Sequence, residues 1–126
     1  MIFKLFQINT TLEHRQIDEE GLEWNEALEK FPKVEAAHAT MMGGSDAYVT
    51  MYDEFYTHVA DIDASNLEDA FHIHNMQDEN HITRFGRQHS MSVGDVLVGS
   101  YGDVHMVDGI GFTQLMSSKI GFSLGA

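Results

Sequence analysis

The sequence predicts an α+β domain: an antiparallel sheet with a C-terminal β-meander and two or three helices packed on one face. Three observations carry this reading. Val96, Leu97 and Val98 form an aliphatic run too short for a persistent helix, and the chain turns after them at Gly99 and Gly102 before a second run over residues 104–107. Asp108-Gly109 is a strong turn signal, so residues 110–115 read as a third strand, with Gly111 marking a corner or a bulge. Upstream, two stretches repeat apolar residues at helical spacing, Trp24, Ala27, Leu28 and Phe31 in one and Leu67, Ala70, Phe71 and His74 in the other.

In chain order, residues 3–8 are the first strand and Thr10, Thr11 and Glu13 a connector. Asp18 is placed to cap a helix over 19–31, with Ile17 and Leu22 as a hydrophobic staple, Glu19 and Glu20 in the first turn, and Pro32 ending it. Residues 35–42 form a second short helix closed by Gly43-Gly44. From Ala47 the pattern alternates, with Val49, Met51, Phe55, Thr57 and Val59 on one face and Tyr48, Tyr52, Tyr56 and His58 on the other, which predicts two strands or one bent strand. Ser65 and Glu68 have the spacing of a capping box for a helix over 66–74. Residues 75–88 are polar and irregular. In the tail over 117–126, Ile120, Phe122 and Leu124 alternate, as in an edge strand or a segment that orders on a partner by strand addition.

At 126 residues the chain is one domain with room for a core, and it has no cysteine for a disulfide or a thiolate metal site. Residues 1–6 lack the apolar core of a signal peptide and no run reaches membrane-spanning length, so a soluble intracellular protein is expected. The net charge is −13, and it is unevenly spread. Residues 16–80 hold sixteen Asp and Glu against Lys30 and Lys33 alone, while the rest of the chain nearly cancels. Direct nucleic-acid binding needs Lys and Arg to displace counterions and is therefore disfavoured. A basic partner surface fits better, and the candidate partner-binding residues are Asp18, Glu19, Glu20, Glu23, Glu26, Asp53, Glu54, Asp61 and Asp63.

His72, His74, His81 and His89 with Asp78 and Glu79 are the available metal ligands, but no His-x-x-x-His spacing is present, and neither a metal nor a cofactor is expected. Ser90 and Ser92 beside His89 and Asp95 supply residue types for nucleophilic catalysis. A strand there would send His89 and Ser90 to opposite faces, and no nucleophile elbow exists.

Three stretches carry a family resemblance. The run His89-Ser90-Met91-Ser92-Val93-Gly94-Asp95-Val96, followed by Val107-Asp108-Gly109-Ile110-Gly111-Phe112, resembles the YodL-like domains of plasmids and phages. The run from Leu67 to Asn75 is similar to the family's "L-E-D-I-Y-x-x-F-N", and Phe3-Lys4-Leu5-Phe6-Gln7 to its opening "F-K-x-x-Q" strand. A proline usual in the loop before the Ser-rich stretch is missing here. The resemblance implies a YodL-like domain over 1–116 with residues 10–54 as a helical, acidic insertion. It also implies a mobile-element setting in the host bacterial cytoplasm, and it leaves the family's activity open. Together with the charge, it points to an anti-defence protein that binds the basic surface of a host CRISPR–Cas or restriction complex, as an acidic mimic of nucleic acid. The alternatives are a metal-dependent enzyme built on His72, His74 and His89, or a non-catalytic interaction module acting through its tail.

Overall fold

The computed structural model describes residues 1–121. The elements are β1 (Ile2–Gln7), α1 (Thr11–Glu20), α2 (Trp24–Lys30), α3 (Pro32–Gly43), β2 (Thr57–Asp63), α4 (Leu67–Asn75), β3 (Ile82–Arg84), β4 (Val96–Val98), β5 (Val104–Val107) and β6 (Phe112–Gln114). Short 3-10 segments occupy Gly44–Asp46, Thr50–Phe55 and Glu79–His81. The six strands form one antiparallel sheet in the order β3-β2-β1-β4-β5-β6, so the α+β class and the C-terminal series β4 to β6 are present.

β1 lies in the middle of the sheet, and its register decides what each face buries. Leu5 stands opposite Ala60 of β2 and Leu97 of β4, while Phe6 stands opposite Val96. One face thus gathers Phe3, Leu5, Ala60, Ile62, Leu97 and Val107 beneath Ala70 and Ile73 of α4. The other gathers Phe6, Val96, Val98, Val104 and Met106 beneath Ala36 of α3, with Tyr48, Tyr52 and Tyr56 around them. The helices therefore divide between the two faces instead of sharing one. Leu5 and Phe6, Leu97 and Val96, and Val107 and Met106 are adjacent apolar pairs, and a strand apolar on both sides needs cover on both.

Five local expectations are corrected. Where a connector at Thr10, Thr11 and Glu13 and one helix over 19–31 are expected, α1 already starts at Thr11, and Gly21 in the left-handed region (φ 63°) separates it from α2. The bonds Leu22 N–H to Ile17 O and Gly21 N–H to Asp18 O close α1 as a Schellman motif. Asp18 is accordingly near the end of a helix and does not cap a start. Pro32 opens α3 at its first turn, where its missing N–H costs nothing, and does not end a helix in which Phe31 still belongs. The alternation over 47–55 is a 3-10 turn, and the strand begins only at Thr57. The cap of α4 is Asn66, whose side chain accepts the Asp69 N–H at 2.8 Å, while the Asp69 carboxylate takes the Ser65 N–H at 2.9 Å; the box sits one residue later than Ser65 and Glu68 suggest.

β3 was not foreseen in the irregular stretch over 75–88. Of the tail, Ile120 is buried beside Phe6 and Val98, whereas Phe122 and Leu124 lie outside the described residues. A small third core of Ile17, Ala27 and Val34 holds α1 and α2 on α3. All the regular structure between residues 11 and 55 is helical, so the acidic stretch is a helical layer that the chain builds after β1 and before β2.

Candidate functional site

The nine carboxylates singled out by sequence separate into two groups. Asp18, Glu19, Glu20, Glu23 and Glu26 are all exposed and share the end of α1, the turn and the start of α2, together with Glu29. Asp18 to Glu20 stand at a helix C-terminus, where the backbone dipole opposes negative charge. Glu20 is compensated by Lys30 at 2.8 Å, whose hydrogen bond holds its carboxyl below the usual range. Glu26 accepts the Glu23 N–H at 3.3 Å and so caps α2. Asp18, Glu19, Glu23 and Glu29 have no cationic partner among the described ion pairs.

Asp53, Asp61 and Asp63 do not join that display. Asp53 is a clamp for the end of the described chain, accepting the Tyr48 hydroxyl at 2.5 Å and the Lys119 N–H at 2.8 Å. Asp61 pairs with His58 at 2.7 Å, and Asp63 with the Met1 ammonium at 3.1 Å. Glu54 is exposed but belongs to the 3-10 turn, apart from α1 and α2 in the chain.

The more elaborate polar construction lies elsewhere, around the loop over 88–95. Gly94 and Asp95 exchange backbone hydrogen bonds with Val107, but the earlier residues of the loop have no ladder partner, so side chains satisfy the backbone of His89 and Met91. Gln7, buried at the end of β1, donates through Nε2 to the His89 carbonyl (2.9 Å) and accepts the His89 N–H (3.2 Å). Asn75, at the end of α4, repeats the arrangement on Met91, donating to its carbonyl at 3.0 Å and accepting its N–H at 2.7 Å. Gln88 Nε2 donates to the Val59 carbonyl at 2.8 Å. Two amide side chains thus act as surrogate strand neighbours.

Asp95 closes the loop. Only 5% exposed, its Oδ2 accepts Gln7 Nε2 (3.0 Å) and the Ser92 N–H (3.0 Å). His89 Nδ1 stands 3.8 Å from the same oxygen but donates to the Ser90 carbonyl at 2.9 Å. Among the described hydrogen bonds none reaches Oδ1. Burial pushes the Asp95 carboxyl up from 3.8 to about 6, against the opposing pull of His89, the Ser92 N–H and Gln7. The preceding Gly94 has φ 96°, and a Cβ there would stand 2.9 Å from the Thr40 carbonyl carbon, so the turn rests directly on α3.

Asp95 lies at the wall of a cleft of about 330 Å³ between this loop and the helical layer, shared with His14 of α1, Trp24 of α2, His38 of α3 and His89. The Trp24 indole meets His38 edge-on at 5.2 Å and lies nearly parallel to His14 at 6.5 Å. Neither Lys nor Arg lines the cleft. Sequence reasoning noted Asp95 as a neighbour of serines and His89 as that or as a metal ligand, and missed Gln7, Asn75, Trp24, His14 and His38 as parts of one site. Gln7 was detectable in principle as a polar residue at an inward position of a strand, in phase with Phe3 and Leu5.

Ser90 and Ser92 give no hydroxyl hydrogen bond to His89 or Asp95 among the described residues, so the nucleophile reading gains no geometry. His72 is exposed on α4, His74 is buried against Gln88 (2.7 Å), and His89 is tied to Gln7. Among the described residues no three His, Asp or Glu side chains are arranged to hold a metal ion, and no helix is long and apolar enough to cross a membrane. Compared with protein-family models, curated proteins and solved structures, the chain matches none.

Proposed function

We propose that this protein is a YodL-like, anti-defence binding protein of mobile-element origin that engages a basic surface on a host CRISPR–Cas or restriction complex in the bacterial cytoplasm. The observation that supports the reading is that Asp18, Glu19, Glu20, Glu23, Glu26 and Glu29 are all exposed over the end of α1, the following turn and α2, and that among the described ion pairs Glu20 alone of them has a cationic partner. Such a stretch presents carboxylates to arginines and lysines that otherwise grip phosphate. Asp53, Asp61 and Asp63 are left out of the contact, since each already serves an internal partner. The junction of Gln7, Asn75 and the loop over 88–95 supports the family assignment, because it gives the three resembling stretches one shared structural task.

Opposite fields make association fast and salt-sensitive. The test is to express the protein in bacteria carrying such a defence system and measure phage plating. A rise in plating is expected with the native chain, and reversal of Glu19, Glu23 and Glu26 to Lys should slow association with the captured complex by about ten-fold or more at low salt. Protection and binding that survive the reversal unchanged would remove the mechanism.

A further inference from the structure

We propose that the cleft between the helical layer and the loop over 88–95 is a receptor for a planar guanidinium or amidinium group, bound edge-on by the Asp95 carboxylate and covered by the Trp24 indole. For holding the loop together a carboxylate is more than is needed. An asparagine oxygen would accept both the Gln7 and the Ser92 hydrogen bonds without the cost of burying a charge. What the acid adds is a second anionic oxygen, Oδ1, which takes no internal hydrogen bond and belongs to a residue that lines the cleft.

Neither Lys nor Arg lines the cleft, and the nearby imidazole of His89 approaches the other oxygen, Oδ2, at 3.8 Å without a hydrogen bond. A planar ligand can direct adjacent N–H groups at the open lone pairs of Oδ1 while its face lies against Trp24, which a lone ammonium cannot do. The remaining walls suit the same class. Trp24 and the imidazoles of His14 and His38 give π faces for a delocalised cation, and Ile8, Val34 and Ala37 give apolar contact for attached methylenes. A volume of about 330 Å³ admits a group of arginine side-chain size. The net charge of −13 draws cations toward the molecule. The chemistry is shared by an arginine side chain of a partner protein and by a free guanidino compound, and the inference does not depend on the carboxylate stretch.

Trp24 is the only tryptophan, so its fluorescence reports this cleft alone. The full chain would be titrated with benzamidine, ethylguanidinium and a blocked Gly-Arg-Gly peptide, with butylammonium and urea as controls for charge and shape. Saturable quenching by the guanidinium-type probes is expected, weaker by about ten-fold or more for butylammonium and lost to a similar extent in Asp95→Asn. That variant keeps the loop hydrogen bonds, and circular dichroism checks its fold. Tighter binding of the peptide assigns the site to a partner's arginine, and tighter binding of the free compounds to a small molecule. Absence of saturable quenching by every guanidinium-type probe, or equal affinity in folded Asp95→Asn, overturns the proposal.

Discussion

Replacing Asp95 by Asn should make the protein more stable at neutral pH, and the size of the gain follows from where the carboxyl sits. Its value rises from 3.8 to about 6 on folding because burial penalises the charged form. Below about pH 4 the acid is protonated in both states and costs nothing. Between about pH 4 and 6 the native state holds a proton that the unfolded chain has released, so stability falls as pH rises. Above about pH 6 both states are ionised and the full penalty stands. Two units at 1.36 kcal/mol each give a ceiling of about 3 kcal/mol. Asn keeps the oxygen that accepts from Gln7 and Ser92 and never ionises. Urea denaturation of both proteins from about pH 4 to 8 should show a difference near zero at the acid end, growing to as much as about 3 kcal/mol in favour of the variant at neutrality. Other carboxylates cancel in that difference. A gap that does not vary with pH, or a variant less stable at neutrality, would refute the account of Asp95 as a buried charge whose desolvation its internal hydrogen bonds do not offset.

Two further substitutions probe the support of the loop. Asn75→Ala strands the N–H and carbonyl of Met91, a residue only 2% exposed, and should cost about 2–4 kcal/mol in urea denaturation while speeding hydrogen exchange at the Met91 amide. Gly94→Ala combines a positive φ with a Cβ 2.9 Å from the α3 backbone at Thr40, where relief requires moving a helix, and should cost about 2 kcal/mol or more by thermal melting. An unchanged melting temperature would mean that the turn does not rest on α3.

The parts legible in the sequence were those whose partners are near in the chain. Val96 to Val98, the glycine-bearing turn and Val104 to Val107 announce β4 and β5 because a hairpin carries its own punctuation. The α1–α2 break was hidden because Ile17, Trp24, Ala27, Leu28 and Phe31 keep a helical period across it, and Gly21 alone marks the stop. Tyr48 to Phe55 misled for the opposite reason: over so few residues a 3-10 turn and a strand leave similar apolar alternation, and packing against the sheet decides between them. The site was least legible. Gln7 and His89 meet across most of the chain, and an amide that serves a distant loop looks like any other glutamine until the fold brings them together.

The placement of β1 has a consequence for how the molecule is assembled. Ile2 pairs with Asp63 and Lys4 with Val98, so the central ribbon of the sheet has no neighbour close in sequence. Closing those long loops must precede most of the reward, which makes acquisition of the native state slow for a chain of this length. Until the hairpin of β4 and β5 docks, two greasy surfaces on either side of β1 stay open to other chains, and chaperones or a fast-binding target have the most to act on during that interval.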